Sequence, residues 1–167
     1  MNNYNNHQYI IRDVETCDLD QLFSSLLSLV KHEGLEAKFK LTPPRLRAEL
    51  FGTKADWNCL VANNPADQLV GFCLYSFANT NRAFNLTPMV QVDDIYVDPE
   101  YRNKKVGYNL LYRLAQIAKS KNITRFNVCC IKNNDLGQKF YQSISAEKLD
   151  YLDLFFIRTD TLLNNKN

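Results

Sequence analysis

The sequence predicts a mixed α/β fold, in which a mostly antiparallel central sheet is flanked by helices. Two hydrophobic runs, Trp57 to Asn63 and Leu69 to Phe77, enclose the turn sequence Asn64-Pro65-Ala66-Asp67 and predict an antiparallel hairpin. A third run, Val90 to Val97, is followed by a helical pattern that begins at Val106 and leads to another strand. This order of strand, helix and strand indicates a βαβ unit late in the chain.

The elements before the hairpin are predicted from the same kinds of pattern. Tyr9 to Val14 is predicted as a strand, and Thr42 before Pro43 and Pro44 is predicted to cap a short helix through Leu50. Between them, apolar residues recur at the spacing of one buried helix face: Leu19, Leu22, Phe23, Leu26, Leu27 and Val30.

The elements after the hairpin complete the order. A long connection from Ala78 to Thr87 precedes the third strand, and the helix that begins at Val106 is predicted to bury Leu110, Leu111, Leu114, Ile117 and Ala118. A strand over Phe126 to Ile131, a helix that includes Tyr141, and a final strand pair near Ala146 to Leu149 and Asp153 to Ile157 follow.

Length and charge favour one globular domain without a nucleic-acid partner. The chain has 167 residues, of which 46% are hydrophobic, and can bury a sufficient core, so we expect a single domain over 1–167 with its core at about 9–160. With 20 basic and 18 acidic residues, the net charge is only +2, which argues against a general polyanion binder.

The five cysteines are Cys17, Cys59, Cys73, Cys129 and Cys130, and their spacing matches no metal site, so no metal is predicted. We expect them to be buried free thiols in a reducing compartment, with Cys129 and Cys130 on opposite faces of a strand. No secretion signal and no apolar run long enough to cross a membrane is present, so the expected location is the cytoplasm.

The segment from Val92 to Gly107 is the most informative for function. Asp98-Pro99-Glu100 ends the strand, and the first N–H groups of the helix that follows lack partners within the helix, so they attract phosphate. Arg102, Lys104 and Lys105 place positive charge where a helix start ordinarily prefers acids. This inversion favours an external anion, although a solvated basic turn would have the same composition.

The run Arg102-Asn103-Lys104-Lys105-Val106-Gly107 resembles the Arg/Gln-x-x-Gly-x-Gly/Ala pyrophosphate loop of the GNAT superfamily of N-acetyltransferases. The resemblance implies the mixed sheet of that superfamily and acetyl-CoA as the cosubstrate. It assigns cofactor binding to Ile95, Tyr96 and Val97 on the strand and to Arg102, Asn103, Lys104, Lys105, Val106, Gly107 and Tyr108 after it. Lys105 departs from the pattern, because it stands where the first glycine is expected and carries a Cβ.

A second segment, Asn133 to Tyr141, resembles the superfamily's Asn-x-x-x-x-x-Phe-Tyr sequence. By this match, Asn134 binds the pantetheine arm, and Tyr141 lies beside the acetyl sulfur, where its phenol can protonate the leaving thiolate. Without the resemblance, Tyr141 would be interpreted as a core aromatic on the helix face of Leu136 and Ile144.

Further fragments resemble spermidine/spermine N-acetyltransferases and their thialysine-acetylating relatives. They occur in the order usual for those enzymes: Lys31-His32-Glu33-Gly34-Leu35-Glu36, Leu41-Thr42, Phe51-Gly52, Cys59-Leu60-Val61-Ala62, Val70-Gly71-Phe72 and Leu154-Phe155-Phe156-Ile157. The resemblance implies a small amine as the acetyl acceptor and a homodimer as the assembly.

An acidic pair is predicted to act on the acceptor amine. An alkyl amine attacks a thioester only when it is unprotonated, so the site must assist deprotonation. Strand alternation predicts that Asp93 and Asp94 point to opposite faces, so that only one faces the reaction centre. By resemblance, Asp93 is a catalytic residue that orients the amine or accepts its proton through water, and Asp94 is a second cation contact. The alternative for Asp94 is a turn cap or an ion pair with a lysine.

Three further acids are candidates for substrate binding. Glu33 and Glu36 are predicted to lie on one side of the first helix at its end, where they could bind a distal ammonium, although a solvated helix end would have the same sequence. Asp150 matches an acidic substrate-contacting position of the relatives. Arg82 would oppose a long polycation, which favours a shorter diamine or a thialysine-like amino acid.

The sequence thus predicts an acetyl-CoA-dependent N-acetyltransferase that acts on a small cationic amine by direct transfer. No cysteine stands where a covalent acetyl-enzyme mechanism would need a nucleophile. Two alternatives stay open at this point. One is a protein or peptide N-acetyltransferase with an open groove, and the other is a non-catalytic CoA-binding sensor, which Lys105 in place of glycine suggests.

Overall fold

A computed structural model of the chain describes residues 8–78, 88–150 and 158–159. The chain divides into two compact units, Met1–Asn134 and Asp135–Asn167. In their described parts, the first unit holds a five-stranded sheet with three α-helices, and the second holds helix α4 (Asp135–Ser143). The single domain over 1–167 stays a prediction.

The described part of the first unit forms one sheet with strand order β1-β2-β3-β4-β5. The strands are β1 (Ile10–Asp13), β2 (Asn58–Asn63), β3 (Leu69–Ala78), β4 (Met89–Val97) and β5 (Phe126–Val128). The first four pair antiparallel in order, and β5 pairs parallel with β4. The predicted mixed, mostly antiparallel sheet is confirmed, including the hairpin and the late βαβ unit.

The α-helices of the first unit are α1 (Leu19–His32), α2 (Pro43–Phe51) and α3 (Val106–Ser120). Thr42 caps α2 as predicted, since its side-chain oxygen accepts a hydrogen bond from the Arg45 N–H at 3.4 Å. Helix α1 ends in a Schellman turn, in which the Leu35 N–H donates to the Val30 carbonyl at 3.0 Å and Gly34 has a φ of 67°. Gly34 therefore sets where α1 stops.

Helices cover both faces of the sheet. On one face, α1 and α2 form a buried cluster with β2 and β3, made of Leu22, Leu26, Leu29, Leu46, Cys59, Val61, Phe72 and Leu74. On the other face, α3 buries Val106, Leu110, Leu111, Leu114 and Ala118. Gly71 of β3 allows close approach there, because a Cβ at this position would lie 3.1 Å from Val106 Cγ1. The start of α3 is thereby fixed against β3.

A buried ion pair joins β1 to the start of α1. The Arg12 guanidinium donates to the two Asp18 carboxylate oxygens at 2.6 and 2.9 Å, and the Glu15 N–H donates to the same carboxylate at 2.7 Å. Asp18 is only 2% exposed. Burial alone would raise the pKa of Asp18, but the hydrogen bonds from Arg12 and Glu15 outweigh it and hold the pKa below its ordinary value.

Three details of the elements differ from expectation. Helix α1 buries Leu29, whereas Leu27 is 44% exposed, because the buried stripe follows the three-and-four spacing of Leu22, Leu26 and Leu29. Strand β5 stops at Val128, short of the predicted end, where its pairing with β4 ceases. Residues 146–149, predicted as a strand, have no regular structure after the turn that ends α4, and 153–157 lie outside the described residues.

The cysteines are free, but only Cys59 and Cys73 are buried. Cys17 and Cys129 are exposed and Cys130 is partly buried, so the prediction of five buried thiols is wrong. Cys17 lies in the 3-10 turn that precedes α1, and Cys129 and Cys130 follow the end of β5 instead of lying within a strand. Turns and loops at the surface do not bury their side chains in the way that strands do.

Candidate active site

Strand β4 is irregular at the acidic pair. Asp94 lies opposite Leu74 of β3, but the next cross-strand pair joins Val92 to Tyr75, so Asp93 is an extra residue without a counterpart. An extra residue of this kind is a β-bulge, and it changes the alternation of side chains along the strand.

The bulge brings both carboxylates to one face of the sheet. Because cross-strand partners share a face, Asp94 lies on the face of Leu74, which belongs to the α1–α2 core. Ser76 follows two residues later on that same face, and its hydroxyl donates to Asp93 Oδ2 at 3.2 Å. The prediction that Asp93 and Asp94 face opposite sides is therefore wrong, and the bulge is the reason.

The sequence contains a signal for this bulge. The apolar residues of β4 lie opposite residues of β3 that share the α3 face: Val90 with Phe77, Val92 with Tyr75, Ile95 with Cys73, and Val97 with Gly71. A regular strand would space the four apolar residues by two throughout. The step of three between Val92 and Ile95 marks the extra residue.

Glu33 approaches the acidic pair from the end of α1. It directly follows the last helical residue, and its N–H donates to the Leu29 carbonyl at 3.0 Å. Gly34 then turns the chain out of the helix, so Glu36 begins a separate 3-10 turn and is exposed. The prediction that Glu33 and Glu36 share one side of a helix is wrong for this reason. It is the charge of Glu33 that acts on Asp94.

Burial raises the pKa of three carboxylates, Glu33, Asp93 and Asp94, which we call the acidic cluster, and repulsion by the other two adds to the rise for Asp94. For Asp94, burial is the largest cause and the charges of Glu33 and Asp93 add to it, so the pKa rises to about 6. Burial also raises the pKa of Glu33, although the charge of His32 and a hydrogen bond with the Asn134 side chain oppose the rise. Asp93 is more exposed than Asp94, but partial burial of its carboxylate still raises its pKa, and the hydrogen bond from Ser76 opposes the rise.

Within the described residues, none of the carboxylates of the acidic cluster forms an ion pair with a lysine or an arginine. The alternative that Asp94 pairs with a lysine is therefore not what the described residues show. Asp94, with two carboxylates that repel it and no such ion pair among those residues, favours the binding of a cation from outside. Arg82, which was expected to oppose a long polycation, lies outside the described residues.

The segment after β5 adds Asn134 and Cys130 to this region. The Asn134 N–H donates to the Ile131 carbonyl at 2.9 Å, which fixes the turn that presents its side chain to Glu33. Burial and the charge of Glu33 raise the pKa of the Cys130 thiol, and burial with nearby carboxylates raises the pKa of Cys73 to about 12. Both thiols are therefore protonated at neutral pH, so neither is a ready nucleophile.

The sheet opens beside the acidic cluster. Parallel pairing of β4 with β5 ends at Val92 and Val128, whereas β4 continues to Val97. Within the described residues, 93–97 have no partner in β5, which leaves backbone groups on that side for a peptide-like ligand arm. Ile95, Tyr96 and Val97, predicted to contact pantetheine, lie in this stretch, and the Val97 carbonyl accepts a hydrogen bond from Arg102 Nε at 3.2 Å.

The start of α3 has the geometry of an anion-binding site. Lys105 directly precedes the helix with a φ of 63° and a ψ of 12°, the left-handed conformation, and Asn103 has a φ of 60°. The N–H groups of Val106, Gly107 and Tyr108 donate no hydrogen bond within the described residues. The first helical turn contains no acid. Unpartnered N–H groups at the positive end of a helix dipole attract phosphate.

Lys105 adopts the backbone conformation that the glycine of the resembling loop would favour. The lysine at this position is therefore compatible with a left-handed turn into α3. Lys104 and Lys105 are exposed, and the Lys104 ammonium lies 4.7 Å from the centroid of the Tyr101 ring. The loop thus presents N–H groups and positive charge together.

Two of the predicted site residues belong to the second unit. Tyr141 lies in α4, where its ring packs against that of Phe140 at a centroid distance of 5.3 Å. Asp150 is exposed after the helix, and its carboxylate lies 3.2 Å from the Lys148 ammonium. The roles of Tyr141 as an acid and of Asp150 as a substrate contact stay predictions.

The described residues contain no group of His, Cys, Asp and Glu side chains that could hold a metal ion. None of the helices in these residues is long and apolar enough to span a membrane. The cytoplasmic location and the homodimer stay predictions.

Comparisons with known proteins find relatives over most of the chain. A model of the acetyltransferase (GNAT) family matches residues 23–145. Thialysine N-epsilon-acetyltransferase of Bos taurus is 27% identical over 148 residues, which cover 84% of this chain and 85% of that protein. The Sus scrofa protein of the same name is 28% identical over 148 residues, with the same shares. Among solved structures, an integron cassette protein from the mobile metagenome of V. cholerae matches with a TM-score of 0.74 and 22% identity, covering 94% of this chain and 96% of that one.

Proposed function

The chain belongs to the GNAT acetyltransferase family and is an N-acetyltransferase, and we propose that its acceptor is the primary amine of a small cationic molecule. Diamines, polyamines and thialysine-like amino acids belong to this class. The matched relatives named for N-epsilon acetylation of thialysine support it. Acetyl-CoA is the cosubstrate that enzymes of this family use.

The acidic cluster is the observation that carries the proposal. Asp93 and Asp94 lie together on one face beside the open end of β4, and Glu33 repels Asp94 from the end of α1. A cation bound among these groups removes their repulsion, whereas a neutral acceptor leaves it in place. The cluster therefore selects a positively charged amine by charge as well as by contact.

The residues present also fit acetyl-CoA as the donor. The N–H groups of Val106, Gly107 and Tyr108 suit the diphosphate, and the open side of 93–97 suits the amides of the pantetheine arm. Asn134 supplies one more amide beside Glu33. The cosubstrate contributes an activated acetyl thioester, and these residues would hold its arm next to the acidic cluster.

The proposed reaction is a direct transfer from the thioester to the amine. The acidic cluster binds the ammonium form, and Asp93 accepts its proton directly or through water, so that the neutral nitrogen can attack the carbonyl carbon. The new C–N bond forms as the C–S bond breaks, and Tyr141 donates its phenolic proton to the departing thiolate, while the second proton that the nitrogen loses on forming the amide returns to the Tyr141 phenolate through solvent. Asp94 holds the cation through its charge. A raised carboxylate pKa makes proton transfer from an amine less unfavourable.

The test is release of free thiol from acetyl-CoA by the purified protein with a panel of acceptors. The panel contains putrescine, spermidine, spermine, thialysine, lysine and a peptide with a free N-terminus. Turnover with a diamine, a polyamine or thialysine is the expected result. Turnover with the peptide alone would move the function to protein acetylation, and CoA binding without any turnover would indicate a sensor.

Variants of the acidic cluster make the test specific. Glu33→Gln and Asp94→Asn remove charge with little change of shape, so both should raise KM for the amine and leave the affinity for CoA nearly unchanged. Glu36→Gln is the matched control, because Glu36 is exposed in the separate turn. An equal effect of all three variants would mean that the general negative charge matters, and the acidic cluster would lose its assigned role.

A further inference from the structure

Two tyrosine rings stack on the surface of α3, one helical turn apart. The rings of Tyr108 and Tyr112 have a centroid distance of 6.3 Å and an interplanar angle of 29°. Tyr108 is 47% exposed and Tyr112 is 37% exposed. Large exposed aromatic rings side by side are unusual on a helix face turned to solvent, because they leave apolar area in water.

The position of Tyr108 connects this pair to residues 102–105 before α3, which we call the anion-binding loop. Tyr108 belongs to the first turn of α3 and carries one of the three N–H groups that donate no hydrogen bond within the described residues. Helical side chains lean toward the N-terminus, so the Tyr108 ring covers the surface beside the loop that ends at Lys105. Tyr112 stacks against it from the next turn of α3.

The chemistry of the cosubstrate matches this placement. In CoA, a single ribose separates the diphosphate from a flat, aromatic adenine base. If the diphosphate occupies the N–H groups of the first turn, the adenine must lie at the surface within reach of the same turn. Aromatic side chains bind nucleic-acid bases by stacking, and the ring of Tyr108 presents such a surface beside exposed Lys104 and Lys105.

We propose that the Tyr108 ring, supported by Tyr112, is a stacking platform for the adenine of acetyl-CoA. The inference rests on the proposed function and extends it to the part of the cosubstrate farthest from the reaction. It assigns the affinity for the adenosine end to one exposed residue of α3. The acetyl-transfer chemistry at the acidic cluster does not involve this residue.

The experiment compares three ligands by isothermal titration calorimetry: CoA, dephospho-CoA and 4′-phosphopantetheine. The first two contain adenine and the third does not. Tyr108→Leu removes the aromatic ring but keeps a good helix former. We expect this variant to bind CoA and dephospho-CoA about tenfold more weakly, which is the order of magnitude of one lost base–aromatic stack. Its affinity for 4′-phosphopantetheine should not change.

Tyr108→Phe is the matched control and should bind all three ligands like the wild-type chain, because it keeps the ring. If Tyr108→Leu lowered the affinities for CoA and 4′-phosphopantetheine equally, the inference would be overturned, because the loop itself would then be disturbed. An unchanged affinity for CoA in Tyr108→Leu would overturn it too, and the proposed function would stand. A wild-type chain that binds none of the three ligands would overturn the proposed function and the inference together.

Discussion

Tyr9 and Asn109 lie 100 residues apart in the chain and meet beside the anion-binding loop, where the Asn109 side-chain amide donates to the Tyr9 hydroxyl at 2.7 Å. The same hydroxyl donates to the Lys104 carbonyl at 3.1 Å. Tyr9 is only 1% exposed. The buried hydroxyl of Tyr9, the residue before β1, thus bonds to the first turn of α3 and to the loop between β4 and α3, and it fixes the loop from inside the molecule.

Removal of this hydroxyl should loosen the loop. In Tyr9→Phe the ring still packs, but the Asn109 amide and the Lys104 carbonyl lose a partner, so we expect the free energy of unfolding to fall by about 1 to 3 kcal/mol. The affinity for CoA should fall with it. Urea denaturation and calorimetry measure the two quantities. Tyr108→Phe, which removes an exposed hydroxyl, should change stability by less than about 0.5 kcal/mol.

Lys105→Gly is expected to stabilise the fold. A residue with a Cβ is strained in the left-handed conformation, which lowers the free energy of unfolding by roughly 1 to 2 kcal/mol. Glycine avoids this strain, but its greater freedom in the unfolded chain lowers the free energy of unfolding by about 0.5 to 1 kcal/mol. The net gain should be on the order of 1 kcal/mol, seen as a rise in the midpoint of thermal unfolding.

Lys104→Gly is the matched control for Lys105→Gly. Lys104 is the neighbouring lysine, and its φ is not positive, so glycine relieves no strain there; it brings the entropic loss, removes the ammonium contact with the Tyr101 ring and should lower stability. Equal melting temperatures for the two glycine variants would show that the left-handed conformation of Lys105 carries no strain in solution. Acetyltransferase activity should persist in Lys105→Gly, because the path of the loop does not change.

The raised pKa of Asp94 predicts a stability that falls as the pH rises. The folded chain holds the proton of this carboxyl to a pH of about 6, whereas the unfolded chain releases it near its ordinary value of 3.8. The contribution of Asp94 to the stability of the fold is thus fully present below pH 3.8 and is lost as the pH rises through about 6. Asp94→Asn should therefore be more stable than the wild-type chain at pH 7.5, by about 1 to 3 kcal/mol.

The same variant should lose affinity for a cationic acceptor. The wild-type kcat/KM for that acceptor should rise between pH 5 and pH 7 as Asp94 ionises, and the rise should be shallower in Asp94→Asn. Thermal unfolding across pH and initial rates across the same range check the two halves of this prediction. A variant less stable than wild type at pH 7.5 would mean that Asp94 is not destabilised by burial and repulsion.

The Arg12 and Asp18 pair should stabilise the fold in the opposite pH range. Asp18→Asn removes the charge that receives two guanidinium hydrogen bonds, and it leaves the Arg12 side chain without its partner, so a loss of about 2 to 4 kcal/mol is expected at pH 7. Because the pKa of Asp18 is lowered in the folded chain, the ionised carboxylate stabilises the fold above pH 3.8, the ordinary pKa of the group. This stabilisation is lost as the pH falls through the lowered pKa. The difference between wild type and variant in urea denaturation should therefore shrink below pH 4. A difference that stays constant down to pH 2 would contradict this assignment.

Local patterns predicted most of the fold, because each element depends on nearby residues. The cap at Thr42, the hairpin turn at Asn64 to Asp67 and the helix after Val106 all follow from residues a few positions apart. The three-residue spacing between Val92 and Ile95 also indicates the bulge at Asp93. The prediction assumed a regular strand instead, and it therefore placed one of the two carboxylates on the wrong face of the sheet. The end of α1 at Gly34 likewise separated two glutamates that a continuous helix would have kept together.

Contacts between residues that are distant in the chain could not be predicted from local sequence patterns. Nothing near Tyr9 marks Asn109 as its partner, and the hydroxyl of Ser76 meets Asp93 only because the register of β3 and β4 brings them together. Glu33 acts on Asp94 through tertiary packing of α1 on the sheet, so the raised pKa of Asp94 could not be derived from charge counts. Local sequence therefore supplies candidate residues, and tertiary structure decides which of them act together.

Tyr141→Phe tests the predicted general acid. The phenylalanine ring keeps the packing against Phe140 and lacks the proton for the leaving thiolate, so kcat should fall by about 10² to 10⁴ while the affinity for CoA and the melting temperature stay near wild type. Stopped thiol-release assays at saturating substrates give kcat, and calorimetry gives the affinity. Tyr112→Phe removes a phenol elsewhere and should retain full kcat. Full activity in Tyr141→Phe would remove the phenol from the mechanism and leave water as the source of the proton, whereas a parallel loss of CoA affinity would identify Tyr141 as a binding residue alone.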